Sequence, residues 1–95
     1  MTHIRRTFDT KPEEFNVSIS KNGYLTSAEY RVSIKENTKD GEVTGYEAEC
    51  NYVLRNEPAT KKSIVNALLA CNDDYKDRES YTSKVVEYAD SVITG

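Results

Sequence analysis

Ala28-Glu-Tyr-Arg-Val-Ser-Ile34 and Tyr46-Glu-Ala-Glu-Cys-Asn-Tyr-Val-Leu54 flank a polar turn. Apolar and polar residues alternate in both, the period of a half-buried strand. The stretch therefore reads as a long antiparallel hairpin with one apolar face. Its turn, Lys39-Asp40-Gly41, admits loops of two, three or five residues, the last keeping the faces matched but placing Glu29 opposite Glu49. A two-residue Asp-Gly turn would set Ile34 against Glu47 and mix the faces. A three-residue loop with Gly41 as a G1 bulge pairs Ile34 with Tyr46, Val32 with Ala48, Tyr30 with Cys50 and Ala28 with Tyr52. It also sets Arg31 opposite Glu49, an attractive cross-strand pair. The three-residue loop is the expectation.

Upstream, Phe15-Asn-Val-Ser-Ile-Ser20 alternates in the same way, and Asn22-Gly23 follows as a type I′ turn signal. A two-residue turn there pairs Phe15 with Tyr30, Val17 with Ala28 and Ile19 with Thr26. The inner face then carries Phe15, Val17, Ile19, Ala28, Tyr30, Val32, Ile34, Tyr46, Ala48, Cys50, Tyr52 and Leu54. The polar face carries Glu29, Arg31, Glu47 and Glu49. Residues 1–12 read equally as a short edge strand or as an arm bearing Arg5 and Arg6.

Downstream, Pro58 ends the strand, because proline cannot donate to a ladder. A helix follows to about residue 71, with Thr60 or Asn56 as its cap and Ile64, Val65, Leu68 and Leu69 as its apolar stripe. A polar loop, Asn72-Asp-Asp-Tyr-Lys-Asp-Arg78, leads to a second helix over about residues 80–93, with Tyr81, Val85, Tyr88, Ala89 and Val92 on one side. The expected fold class is α+β: an antiparallel meander of three or four strands with two C-terminal helices packed on one face.

Composition bounds the function. Ninety-five residues support one domain and one core. The net charge is −3 and disfavours non-specific nucleic-acid binding. No apolar run has the length of a membrane span, and no apolar stretch follows the N-terminal charges, so a cytoplasmic chain with reduced Cys50 and Cys71 is expected. Those two cysteines, both on elements that face the core, read as small buried hydrophobes that could be neighbours.

His3 is the one histidine and has no orienting partner in sequence. Asp73, Asp74 and Asp77 lack the glycine and closing glutamate of a calcium loop. Tyr30, Tyr46 and Tyr52 share the inner face and read as core, not as a base-stacking platform. No cofactor or metal is called for, and no enzyme.

A protein-binding module is the expectation, with contacts from the charged face (Glu29, Arg31, Glu47, Glu49), the turn tips (Tyr24, Asp40) and the acidic loop (Asp73, Asp74, Tyr75, Asp77). An acidic face would complement a partner with a basic, nucleic-acid-binding surface. The strand ending at Leu54 forms an edge long enough to pair with a second copy.

Lys61-Lys62 opens a helix after three strands, and in this the chain resembles the double-stranded-RNA-binding domain over roughly residues 15–70. It departs from that family in having no room for a first helix, no glycine-rich approach to the lysines, an extra C-terminal helix and an acidic balance. The resemblance implies nucleic-acid binding through Arg5, Arg6, Lys61 and Lys62. The element order also resembles that of small phage anti-CRISPR inhibitors, which pair a meander with one or two helices. That resemblance implies an inhibitor or accessory protein of a phage or mobile element that blocks a partner's surface.

Overall fold

A computed structural model describes residues 2–72 and 78–95. Four strands, β1 (Thr2–Phe8), β2 (Phe15–Ile19), β3 (Tyr24–Lys39) and β4 (Glu42–Pro58), precede two helices, α1 (Lys61–Ala70) and α2 (Arg78–Thr94). The strands form one antiparallel sheet in the order β1-β4-β3-β2. The fold is α+β, as the patterning predicts.

Residues 2–8 are a strand and not an arm. They pair with β4 from Thr2–Tyr52 to Phe8–Tyr46. The strand expected to be a free edge is therefore central over that span, and the sheet's outer strands are β1 and β2. Ile4, Arg6 and Phe8 share one face of β1, and their period of two is what allows them to line a sheet.

The two hairpin loops exchange the lengths expected of them. At the first, the Gly23 N–H donates to Ser20 O (3.0 Å) and the Ser20 N–H to Tyr24 O (2.8 Å), which closes a three-residue loop. Only Gly23 is left-handed there, at φ 79°. At the second, Asp40 (φ 52°) and Gly41 (φ 83°) are both left-handed, and Lys39 pairs directly with Glu42. That is the two-residue type I′ geometry.

A bulge resets the register of β2 against β3, and the two-residue turn sets that of β3 against β4. On β3, Thr26 is the extra residue against β2, so Phe15–Tyr30 and Val17–Ala28 pair as expected while Ile19 meets Leu25 in place of Thr26. Leu25 thereby enters the core and is fully buried. In the long hairpin, β4 carries Thr44 as an extra residue, and β3 offsets it with Ser33 and Ile34 opposite Ala48 alone, Ser33 being left-handed at φ 53°, so the two-residue turn's register is kept. Between that bulge and the helices, Ala28 pairs with Val53, Glu29 with Tyr52, Tyr30 with Asn51 and Arg31 with Cys50. Each β4 partner is one residue later than expected. A one-residue slip turns a strand's side chains to the other face. Val53 therefore joins the core, while Ala48, Cys50, Tyr52 and Leu54 lie on the face opposite the helices, against the expectation.

The core holds Phe15, Leu25, Ala28, Tyr30 and Val53 from the sheet, Ile64, Ala67, Leu68 and Cys71 from the first helical segment, and Tyr81, Val85 and Ala89 from α2. Of the predicted helical stripes, Ile64, Leu68, Tyr81, Val85 and Ala89 are buried, Val65, Leu69, Tyr88 and Val92 are partly buried, and Ala67 joins the core unpredicted. Tyr81 meets Tyr30 edge-on at 4.9 Å between centroids and donates its hydroxyl to Leu68 O at 2.6 Å. Burial raises the Tyr81 phenol well above its ordinary pKa, so it stays a donor at all physiological pH.

Thr60 caps α1 in a reciprocal box. Its hydroxyl accepts from the Ser63 N–H (3.1 Å), and Ser63 Oγ accepts from the Thr60 N–H (2.9 Å). Thr60→Ala is expected to lower stability by about 1 kcal/mol and Thr60→Ser by little, read as the urea midpoint.

The molecule measures 46 × 34 × 24 Å. The far part of the β3–β4 hairpin extends beyond the helices, which pack on the other end of the same strands.

Candidate functional site

The helices cover one face of the sheet. On the other face, all four strands contribute to a recess of about 310 Å³. Arg6 comes from β1, Asn16 and Ser18 from β2, Ser27, Glu29 and Arg31 from β3, and Tyr52 and Leu54 from β4. Alternation explains the set. Residues two apart on each strand share a face, and the slipped register of β4 brings Tyr52 and Leu54 beside Glu29 and Ser27.

Glu29 organises this site. It is only 7% exposed, yet both carboxylate oxygens are engaged. Arg31 Nε donates to Oε1 at 2.7 Å, and Arg6 Nε lies 3.0 Å from Oε2. A carboxylate at this depth needs such compensation, because burying an unpaired charge costs several kcal/mol. Arg31 is held from further sides. Its guanidinium carbon lies 4.8 Å from the Phe8 ring centroid, and its backbone N–H donates to Glu14 O at 2.6 Å. Cation–ring contact of this kind favours arginine's flat, delocalised charge. Ala48 and Cys50 are buried on this same face, outside the main core. At the rim, Leu54 is 71% exposed beside half-buried Tyr52.

The expected single charged face of Glu29, Arg31, Glu47 and Glu49 does not form. Glu29 and Arg31 belong to the recess. Glu49 faces the helix side of the sheet, where it meets Arg5 at 3.5 Å and the His3 ring at 4.0 Å. Glu47, two residues away, shares that side. Arg31 lies opposite Cys50 and salt-bridges its own strand's Glu29, not Glu49. With Glu29 and Glu49 both paired to arginines, the acidic patch expected to attract a basic partner is largely neutralised.

The other sequence candidates are scattered. Tyr24 is exposed at one end of the 16-residue β3, and Asp40 sits in the turn beyond its other end. Asp73, Asp74, Tyr75 and Asp77 lie outside the described residues. Arg5 and Arg6 leave β1 on opposite faces and meet Glu49 and Glu29 respectively. Lys61 is paired with Asp90 at 2.9 Å, and exposed Lys62 lies along a shallow groove with Glu57 and Asn66. The recess residues missed in the sequence are Asn16, Ser18, Ser27, Tyr52 and Leu54. The available signal was the run Tyr52-Val53-Leu54, which is apolar on both faces of one strand and so marks a strand with something to contact on each side.

Cys50 and Cys71 are not neighbours. Cys71 belongs to the core and donates to Ala28 O at 3.4 Å, while Cys50 sits on the far face and contacts Ala48 O at 3.8 Å. Burial raises both thiols, Cys71 to about 11. Neither is expected to react with an aromatic disulfide reagent at pH 7 until the chain is unfolded in urea, when both should react. Rapid labelling of the native chain would contradict their placement. Among the described residues, no group of three or more His, Cys, Asp or Glu side chains is placed to hold a metal ion.

Comparison with protein-family models, curated proteins and solved structures finds no match.

Proposed function

We propose that the chain is a non-enzymatic protein-binding module whose docking surface is the helix-free face of the sheet. The observation that carries this reading is Leu54, which stands 71% exposed beside Tyr52 and next to a guanidinium pair held by Glu29. An apolar side chain and an aromatic ring beside oriented arginines make the composition of an interface centre, where Tyr and Arg are enriched. The form of activity is that of a small inhibitor or accessory protein, of phage or mobile-element type, that occupies a partner's surface. No helix among the described residues is long and apolar enough to cross a membrane.

The nucleic-acid alternative has weaker support. Arg5, Arg6 and Lys61 each meet a carboxylate, and Arg5 and Arg6 point to opposite sides of the sheet. Counterion release from a duplex needs unpaired cations gathered on one surface.

The test is affinity capture from bacterial lysate, with and without nuclease, using tagged wild-type chain, Leu54→Asp and Lys62→Glu. The expected result is a stoichiometric protein partner retained by wild type and Lys62→Glu and lost with Leu54→Asp. Capture that survives Leu54→Asp would remove this face as the docking surface. Capture abolished by nuclease would move the assignment to nucleic acid.

A further inference from the structure

We infer that the recess on the helix-free face receives a carboxylate, the acidic side chain of a partner protein, with the neighbouring apolar residue of that partner resting on Leu54 and Tyr52. The inference rests on the protein-binding reading above and adds the chemistry of the bound group.

Glu29 has both oxygens engaged. Oε1 accepts from Arg31 Nε at 2.7 Å, and Oε2 is ion-paired with Arg6, whose Nε stands 3.0 Å away. Guanidinium carries five N–H donors in a fixed fork. Engaging Nε orients the plane and leaves the terminal amines. Among the described residues, Arg6 makes no polar contact besides Glu29, and Arg31's terminal amines have only a long 3.5 Å approach to Glu13 O. The recess is therefore edged by two guanidinium forks, Arg31 oriented by its hydrogen bond and Arg6 held by its ion pair, each with donors left over. End-on pairing of a guanidinium fork with a carboxylate is bidentate and directional.

Charge decides the sign and size of the ligand. Arg6, Arg31 and Glu29 sum to +1 in a chain of net charge −3. One carboxylate balances this cluster. A phosphate dianion would place surplus negative charge against Glu29. The remaining lining agrees with an oxyanion ligand. The side chains of Asn16, Ser18 and Ser27 have no hydrogen bond within the described residues, and all three can donate. Exposed Leu54 and half-buried Tyr52 at the rim supply apolar contact on one side only. This suits a side chain in a peptide better than a free ion.

The experiment uses the full chain, labelled with ¹⁵N, and N-acetyl-glutamyl-leucine amide as the probe. The glutaminyl counterpart and inorganic phosphate at matched ionic strength serve as controls. The readout is the Nε–H signals of Arg6 and Arg31 with the backbone amides of Ser18 and Ser27. Saturable shifts at these four groups are expected with the glutamyl peptide. The glutaminyl peptide should bind at least about tenfold more weakly, because it loses the charge-assisted pair. Arg6→Gln and Ser18→Asp should each weaken the glutamyl peptide by a similar factor. Ser18 is exposed on a sheet edge, so its aspartate adds a competing charge without disturbing the core.

Absence of saturable shifts would overturn the inference. So would equal binding of the glutaminyl peptide, or phosphate binding tighter than the glutamyl peptide. Two failures remain distinguishable. Peptide binding absent while Leu54→Asp still abolishes partner capture would overturn the carboxylate assignment alone. Arg6-dependent peptide binding with capture indifferent to Leu54→Asp would keep the carboxylate site and overturn the docking surface.

Discussion

Val53→Asp is expected to unfold the domain at 25 °C, whereas Leu54→Asp, one residue along, should change stability by less than about 0.5 kcal/mol. Val53 is a buried side chain paired across the sheet with Ala28, in the same core cluster as Leu25, Ile64 and Leu68. Replacing it removes about 2 kcal/mol of apolar burial and adds a carboxylate with no partner, which costs several kcal/mol more. A domain of this length has roughly 5–14 kcal/mol in hand. Leu54 is exposed on the other face and loses little contact. Urea denaturation of the two variants by circular dichroism reads the difference. The pairing expected from the loop sequences, with Leu54 inside and Val53 outside, requires the opposite ranking.

Glu29→Gln should cost about 3 kcal/mol, against less than about 1 kcal/mol for Glu49→Gln. Both carboxylates meet arginines, so a count of salt bridges would rank them alike. Burial separates them. Glu29 stands between two guanidiniums with only 9% of its side chain exposed, and Arg31 is 15% exposed. The neutral amide leaves Arg31 charged in a poorly hydrated place. The figure is held near the low end for buried pairs because Arg6 is 48% exposed and water can solvate it. Glu49, Arg5 and His3 lie in water, where side-chain entropy and screening offset the attraction. Equal losses for the two variants, measured at the same ionic strength, would mean that Glu29 is not buried in solution.

Much of the architecture was legible because two kinds of local signal agreed. The 3.6-residue stripes of Ile64, Leu68, Tyr81, Val85 and Ala89 gave the helices and their buried sides, and Thr60 gave a cap. The pairs Phe15–Tyr30 and Val17–Ala28 followed from alternation, and they survive because the bulge at Thr26 offsets the longer first loop. The register of β4 was not legible. Asn-Gly and Asp-Gly each suit more than one loop length, and the loops exchanged roles. No local chemistry announces that Ser33 will turn left-handed and insert a residue opposite Ala48. Because side chains alternate with period two, the two-residue turn in place of the expected three-residue loop moved Tyr52 and Leu54 to the open face and Val53 into the core, the bulges at Thr44 and Ser33 offsetting each other. Pairing of β1 depends on a partner 38 (Phe8–Tyr46) to 50 (Thr2–Tyr52) positions away, which alternation within seven residues cannot specify.

The site was legible only in part. Glu29, Arg31 and Arg6 stood out as charged residues on strands. Their convergence needed β1 beside β4 and the slipped register together. The sequence placed Arg31 against Glu49, the pairing a three-residue loop at Gly41 would make.

The register of β3 against β4 decides which face is open, and cross-strand nuclear Overhauser effects test it directly. The Arg31 N–H points to Glu14, on the β2 side. Arg31 and Glu29 therefore sit at non-hydrogen-bonded positions toward β4, where opposed α-protons lie closest. The account predicts strong Hα–Hα effects between Glu29 and Tyr52 and between Arg31 and Cys50. Effects between Glu29 and Asn51 and between Arg31 and Glu49 would contradict it, returning Leu54 to the core face and dissolving the recess.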